Sequence, residues 1–281
     1  MSQTLSERSR GFHTPGPLWD IFEQKMGARG RSRFGGKSKG RRLATLQARA
    51  YPVAVALGVG WGMVKLDIFS DPVCPWCYIG KALLERALEQ HPDHPFAVEW
   101  HPFQLNPEMA AGGTDHRTYL EAKFGSKINA ARAYAQVEKA AQAAGVVIDF
   151  EAMPRMPNTL NAHRLIHWAG LEGRQTAAMA ALFRAYFQGG RDIGDVAVLA
   201  DIGAGIGMDR DVVARLLASD ADLKGVAARE AHARSRGINA VPTFIIAGQH
   251  ALQGAQPTAL WGRVIDDINR QLAEQVSRAV S

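Results

Sequence analysis

Asp71-Pro72-Val73-Cys74-Pro75-Trp76-Cys77-Tyr78 is the stretch that decides the fold of this chain. The stretch holds both cysteines of a 281-residue protein, as a C-x-x-C pair. An apolar run from Val64 to Phe69 precedes it, and a helical pattern from Tyr78 to Glu89 follows. A C-x-x-C pair between a strand and a helix is the arrangement of a redox-active dithiol. The nucleophile of thiol–disulfide exchange is the thiolate, and unpaired N–H groups at a helix start favour negative charge. Pro75 suits the first helical position, where its missing N–H has no partner to lose. Cys74 is therefore expected to attack, exposed at the helix start, and Cys77, one turn on and more deeply buried, to resolve the mixed disulfide. Trp76 stands between them and is expected to shield the pair. Zinc is the competing reading, because Cys74, Cys77, His91 and His94 mimic finger spacing. One helix would separate the pairs by about 14 residues, or about 21 Å, against metal–ligand bonds near 2 Å. No metal is expected.

The segment before this stretch differs in composition. Residues 1–62 hold eleven Lys/Arg and three Asp/Glu, leaving twenty-two basic and twenty-four acidic residues beyond them. The net charge of +6 therefore belongs to the N-terminal segment, and nucleic acid is not an expected partner of the rest. Gly36-Lys37-Ser38 resembles a phosphate loop, but Arg31 stands where its first glycine belongs and no strand precedes it. The apolar run from Ala50 to Val64 is shorter than the roughly 20 residues of a membrane span, and Lys65 and Asp67 end it. A long basic region before it does not suit a signal peptide either. Residues 1–62 are thus expected to be a basic, disordered or non-native extension, with translation beginning at Met63. Two cysteines in a single motif leave no framework of structural disulfides, which points to a reducing, cytoplasmic setting.

Beyond the cysteine helix, Phe96-Ala97-Val98-Glu99-Trp100 alternates as a second strand. Helical patterns then cover 115–124, 126–144, 159–171, 175–188, 195–203, 209–217 and 221–236, bounded by Gly, Pro, Asn or Asp. Strands follow at 241–246 and 250–253, and a last helix at 257–274. The order βαβ, helical block, α, β, β, α predicts an α/β protein, a thioredoxin fold with an inserted all-helical domain. Its first part is 63–113, the insertion 114–220 and its second part 221–276. In such folds the residue before a cis-proline sits against the cysteines and offers its backbone to an extended peptide. Val241-Pro242 stands where that loop is required, so a cis bond is expected there, an ordinary strand-edge proline being the alternative.

From Met63 to about Ile268 the chain resembles the DsbA-like thioredoxin family, and most of all its cytoplasmic FrnE-type branch. The resemblance is carried by Ser70-Asp71, Val73 to Tyr78 with Gly80-Lys81, Trp100 with Pro102-Phe103, and Leu105-Asn106-Pro107. It continues through Asn158-Thr159, Ala162-His163-Arg164, Ala185-Tyr186-Phe187, Gly237, Val241 to Phe244 and Gly254-Ala255-Gln256. It implies a protein-disulfide oxidoreductase or isomerase with Cys74 and Cys77 catalytic, Pro75, Trp76, Val241 and Pro242 in the active-site loops, and no required cofactor. Its partners would be a disulfide-containing protein or small molecule, and a thiol reductant such as glutathione or a thioredoxin. A second C-x-x-C pair found in one FrnE-type pattern has no counterpart here. The superfamily also holds 2-hydroxychromene-2-carboxylate isomerases and kappa-type glutathione transferases, similar at Asn158-Thr159 and around Pro242. They typically place serine where Cys74 stands, which weighs against that chemistry. The alternative is accordingly a glutathione-dependent isomerase or transferase of small aromatic or polyketide-like molecules, with glutathione as co-substrate. Asn158 and His163 are the candidate substrate contacts, His163 otherwise being a structural residue of its helix face.

Overall fold

The computed structural model describes residues 63–280. The expectations for residues 1–62 and for a start at Met63 lie outside the described residues.

A four-stranded sheet runs in the order β2-β1-β5-β6. Strand β1 (Val64–Ser70) pairs in parallel with β2 (Phe96–Pro102) and antiparallel with β5 (Thr243–Ile246), which forms a hairpin with β6 (His250–Gln253). Helix α1 (Pro75–Gln90) is the crossover that a parallel β1–β2 pair demands. It and the long C-terminal helix α9 (Thr258–Val280) cover one face of the sheet. Trp261 of α9 meets Phe96 and Phe244 edge-on, with ring centroids at 6.4 and 4.9 Å. Leu66 and Ile68 on that face are wholly buried. The spacing of apolar residues suggests a single buried stripe on α1, but this helix is covered on several sides. Gly80 faces Phe244 and Pro242, Ile79 packs against Val137 and Ala141, and Tyr78 stacks on Phe183 and Phe187 at 5.1 and 5.5 Å.

Between β2 and β5 the chain is helical: α2 (His116–Phe124), α3 (Lys127–Ala144), α4 (Leu160–Leu171), α5 (Gln175–Phe187), α6 (Val196–Gly205), α7 (Arg210–Leu217) and α8 (Leu223–Ser235). Leu165, Leu182, Phe183 and Leu199 are buried to 0% exposure, which gives this block an apolar interior of its own. The end of α7 and the turn after it are held by Arg164 of α4, itself 1% exposed. Its guanidinium donates to the carbonyls of Leu216, Ser219 and Ala221 at 2.7, 2.7 and 2.8 Å. A charged donor thus satisfies helix-end carbonyls that would otherwise be buried without partners. Periodicity places a helix from about 114, yet Thr114–Asp115 is a short strand, β3, paired with β4 (Arg155–Met156). A two-residue ribbon is too short to show alternation, so only long-range pairing reveals it. Among the described residues no helix is long and apolar enough to cross a membrane.

Candidate active site

Cys74 is the N-cap of α1, with φ −87° and ψ 113°, and Pro75 opens the helix behind it. Its backbone carbonyl accepts from the N–H groups of Cys77 and Tyr78 at 3.1 and 3.2 Å. The turn that sets this geometry closes when the Cys74 N–H donates to the Asp71 carbonyl at 2.9 Å. No side chain caps the helix, and its first turn carries no acidic residue. No other side chain of this helix start therefore competes with the Cys74 sulfur for the N-terminal dipole and free N–H groups.

The expectation of an exposed Cys74 is corrected: it is 3% exposed, hardly more than Cys77 at 1%. The reason is the loop before β5. The Val241–Pro242 peptide bond is cis, and the Val241 carbonyl oxygen lies 3.8 Å from Cys74 Sγ. Gly80 allows this approach. A Cβ at that position would come within 3.1 Å of Pro242 Cγ, tighter than ordinary packing. Trp76, by contrast, is 38% exposed beside the cysteines.

Both cysteines are free thiols. Burial pushes the Cys77 thiol well up, and the adjoining Cys74 sulfur adds to the rise, while bonds from Ser70 and the Asp71 backbone partly oppose it. Cys77 is thus held as a protonated thiol at neutral pH.

Asp71 is a residue that spacing alone does not single out. It is 0% exposed, and its carboxylate accepts from the N–H groups of Leu105 and Val73 at 2.7 and 3.4 Å and from the Thr159 side chain. It thereby ties the cysteine turn to the segment after β2 and to the start of α4. Burial nevertheless dominates and raises its pKa to about 7. His163 of α4 is 3% exposed, with Nε2 3.8 Å from Asp71 Oδ1 and no hydrogen-bond partner of its own. Its other ring nitrogen bonds the Phe103 backbone, and burial lowers its pKa to about 4. Asp71 and His163 are thus not an ion pair at neutral pH. The histidine is neutral and the carboxyl is partly protonated. The dipeptide Asp71-Pro72 is the signal for Asp71, but it is equally the signature of an ordinary turn.

Asn158, the other candidate contact, is half-buried. Its amide donates to the Met109 carbonyl at 2.7 Å, and its oxygen accepts from the Leu160 N–H at 2.9 Å at the start of α4. His91 bonds the Ala87 carbonyl at 2.8 Å, and His94 Nδ1 accepts from the Phe96 N–H at 3.3 Å, so both are engaged within their own turn. Among the described residues, His, Cys, Asp and Glu ligand atoms converge at Asp67, Glu99 and His101, within 4.8 Å of one another. Neither cysteine belongs to that group.

A family model described as the DSBA-like thioredoxin domain matches residues 65–264, and the chain belongs to that family. A probable DsbA oxidoreductase, SCO1869 from Streptomyces coelicolor, is 31% identical, with TM-score 0.66 over 73% of this chain and 89% of its own. The uncharacterized protein YwbO of Bacillus subtilis is 27% identical over 210 residues, which cover 73% of this chain and 96% of that protein. The cytosolic disulfide reductase DsbM from Pseudomonas aeruginosa, solved with GSH, is 20% identical with TM-score 0.52, covering 76% of this chain and 99% of its own; it shares the fold. The family is one of oxidoreductases and isomerases on a thioredoxin fold.

Proposed function

We propose that this DsbA-like protein exchanges disulfides through Cys74 and Cys77. The observation that carries the reading is the Cys74 sulfur at an otherwise uncapped helix N-terminus, facing the Val241 carbonyl of the cis-proline loop. The Cys74 thiolate attacks one sulfur of a substrate disulfide; a Cys74–substrate disulfide forms and the other substrate sulfur leaves as thiolate. Forming that bond removes the charge on Cys74, and with it one cause of the raised Cys77 pKa. Cys77 then loses its proton to the departing thiolate and attacks Cys74 Sγ, which closes the Cys74–Cys77 disulfide and frees the second substrate thiol. Two thiol equivalents, from glutathione or a thioredoxin, return the pair to its reduced form. Val241 offers backbone to an extended substrate beside the sulfur, and exposed Trp76 offers an apolar surface.

A chain with both cysteines in this motif suits a reducing cytoplasm, where the pair would act mainly as reductase or isomerase. Residues 63–113 and 221–276 would form the thioredoxin part and 114–220 the insertion. Insulin disulfide reduction tests the reading. Cys74→Ala is expected to abolish it, and retained activity would refute the assignment. The glutathione-dependent isomerase or transferase is separated by Cys77→Ser. Dithiol exchange needs Cys77, so glutathione-dependent turnover of a small aromatic substrate that survives this change would favour the alternative.

A further inference from the structure

The two faces of the sheet are covered unequally. Leu66, Ile68, Phe244 and Ile246 lie fully buried on the α1–α9 face. The opposite face carries Lys65, Asp67 and Phe69 of β1, Glu99 and His101 of β2, and Ile245 of β5. Against it stands α8, and between helix and sheet lies a cleft of about 890 Å³. Part of its floor is aromatic: Phe69 and His101, neighbours on paired strands, stack face to face with centroids 4.8 Å apart and planes 21° apart. The cleft therefore meets their ring edges, to which an aromatic ligand presents its face in a T-shaped contact. Ile245 and Ile238 extend that apolar surface.

The charges in the cleft indicate what it lacks. Lys65 Nζ stands 2.8 Å from both the Asp67 and the Glu99 carboxylates. Asp67 also takes His101 Nε2 at 2.6 Å, and Glu99 takes Arg229 at 3.3 Å. The remaining face of Arg229 meets His167 Nδ1 at 3.1 Å. These carboxylates are satisfied, so a metal or amine at Asp67, Glu99 and His101 would have to displace the Lys65 ammonium. Arg236, the residue just past the C-terminal end of α8 and lining the cleft with Arg229 and His232, has no side-chain hydrogen bond or ion pair among the described residues. An exposed guanidinium beside an aromatic floor suits a ligand with one anionic end and one flat apolar body. The volume falls within the roughly 300–1,000 Å³ typical of small-molecule sites, well beyond the need of a bare inorganic anion.

We propose that the cleft between α8 and the β2–β1–β5 face binds a small aromatic carboxylate, its ring over Phe69 and Ile245 and its carboxylate on Arg236. Neither cysteine lines this cleft, so the proposal stands whether or not the dithiol reading holds. The test is calorimetric titration of the full chain with 2-naphthoate. Saturable binding of one ligand per chain is expected, weakened about ten-fold or more by Arg236→Gln, as loss of a charge-assisted pair implies. The neutral analogue 2-naphthalenemethanol should bind correspondingly more weakly, and Cys74→Ser should leave naphthoate affinity unchanged. Ala228→Trp, at an exposed position of the helix wall, should fill the cleft and abolish binding with the far-UV circular dichroism preserved. Absence of saturable binding overturns the proposal, as does equal affinity in Arg236→Gln or for the neutral analogue. Binding lost in Cys74→Ser also overturns it, since the ligand would then be at the cysteines.

Discussion

The start of α1 and the start of α6 share a backbone and differ in a side chain. Cys74 caps α1 at φ −87°, ψ 113°, and Asp195 caps α6 at φ −75°, ψ 131°. The Asp195 carboxylate accepts from the Val198 N–H at 2.9 Å. Asp209 does the same for Val212 at 2.9 Å, Asp115 for Thr118 at 2.8 Å, and Ser126 for Asn129 at 3.2 Å. Cys74 makes no such bond. A helix start whose donors are satisfied is a structural feature; one left open beside a sulfur is a place to hold charge. Four of the described helices use the usual solution, while α4, α5 and α8 also start without a side-chain cap. Among these open starts that of α1 alone carries a cysteine, and its openness is not a matter of the chain's composition. Nor is it for want of a nearby carboxylate. Asp71 lies three residues before Cys74 and spends its oxygens on Val73, Leu105 and Thr159 instead.

The largest effect is expected at Cys74 itself. Cys74→Ser replaces the sulfur with a good capping oxygen of similar shape. It should gain up to about 1 kcal/mol in denaturant unfolding while disulfide exchange disappears. A Cys74→Ser protein that still reduces insulin would mean that the open helix start is not the reactive point.

Asp71→Asn is expected to act through pH. Its carboxyl titrates near 7 in the fold against 3.8 for the ordinary group, so the folded state binds more protons in between. Stability contributed by the protonated form is therefore present below about pH 4 and is lost as pH rises toward 7. The full rise corresponds to an ionised form disfavoured by on the order of 4 kcal/mol. His163 has the opposite sign: with its pKa lowered to about 4, its contribution is lost as pH falls below about 6.5. The difference in urea midpoint between Asp71→Asn and the parent should shift in the variant's favour from pH 4 to pH 7. A difference independent of pH would show that Asp71 does not titrate in this range.

Gly80→Val should push Pro242 off α1 and cost about 1–3 kcal/mol as overpacking. It should lower exchange more than Asp195→Ala does, because Val241 loses its place against Cys74. Equal activity in the two variants would detach the loop from the chemistry. The smallest effect belongs to Asp195→Ala itself, a cap lost for about 1 kcal/mol in thermal unfolding. Exchange activity should be untouched.

Much of this architecture is legible in the amino-acid sequence. Helix boundaries at Asp115, Ser126, Asp195 and Asp209 follow from capping chemistry that acts within a few residues, and those boundaries agree with the observed helices to within about two positions. Strand β6 has the ends expected of it, His250 and Gln253. Three misses involve partners far away along the chain, whereas the last helix, expected to end at 274, runs on to Val280. The exposure expected of Cys74 fails because Val241 arrives from 167 residues away. The single stripe expected of α1 fails because α3 and α5 cover further sides of it. The β3–β4 ribbon escapes because a two-residue strand has no period to detect.

Local spacing alone carries a sulfur at a helix start, a proline behind it, side-chain caps for four of the other helices, and a strand–helix order that admits one fold. The environment of that sulfur, by contrast, exists only once the chain is folded. Burial of Asp71 and His163, the closeness of the Val241 carbonyl and the cleft between α8 and the sheet depend on which surfaces meet. Desolvation and packing are properties of space rather than of sequence separation, and they set the protonation of these groups.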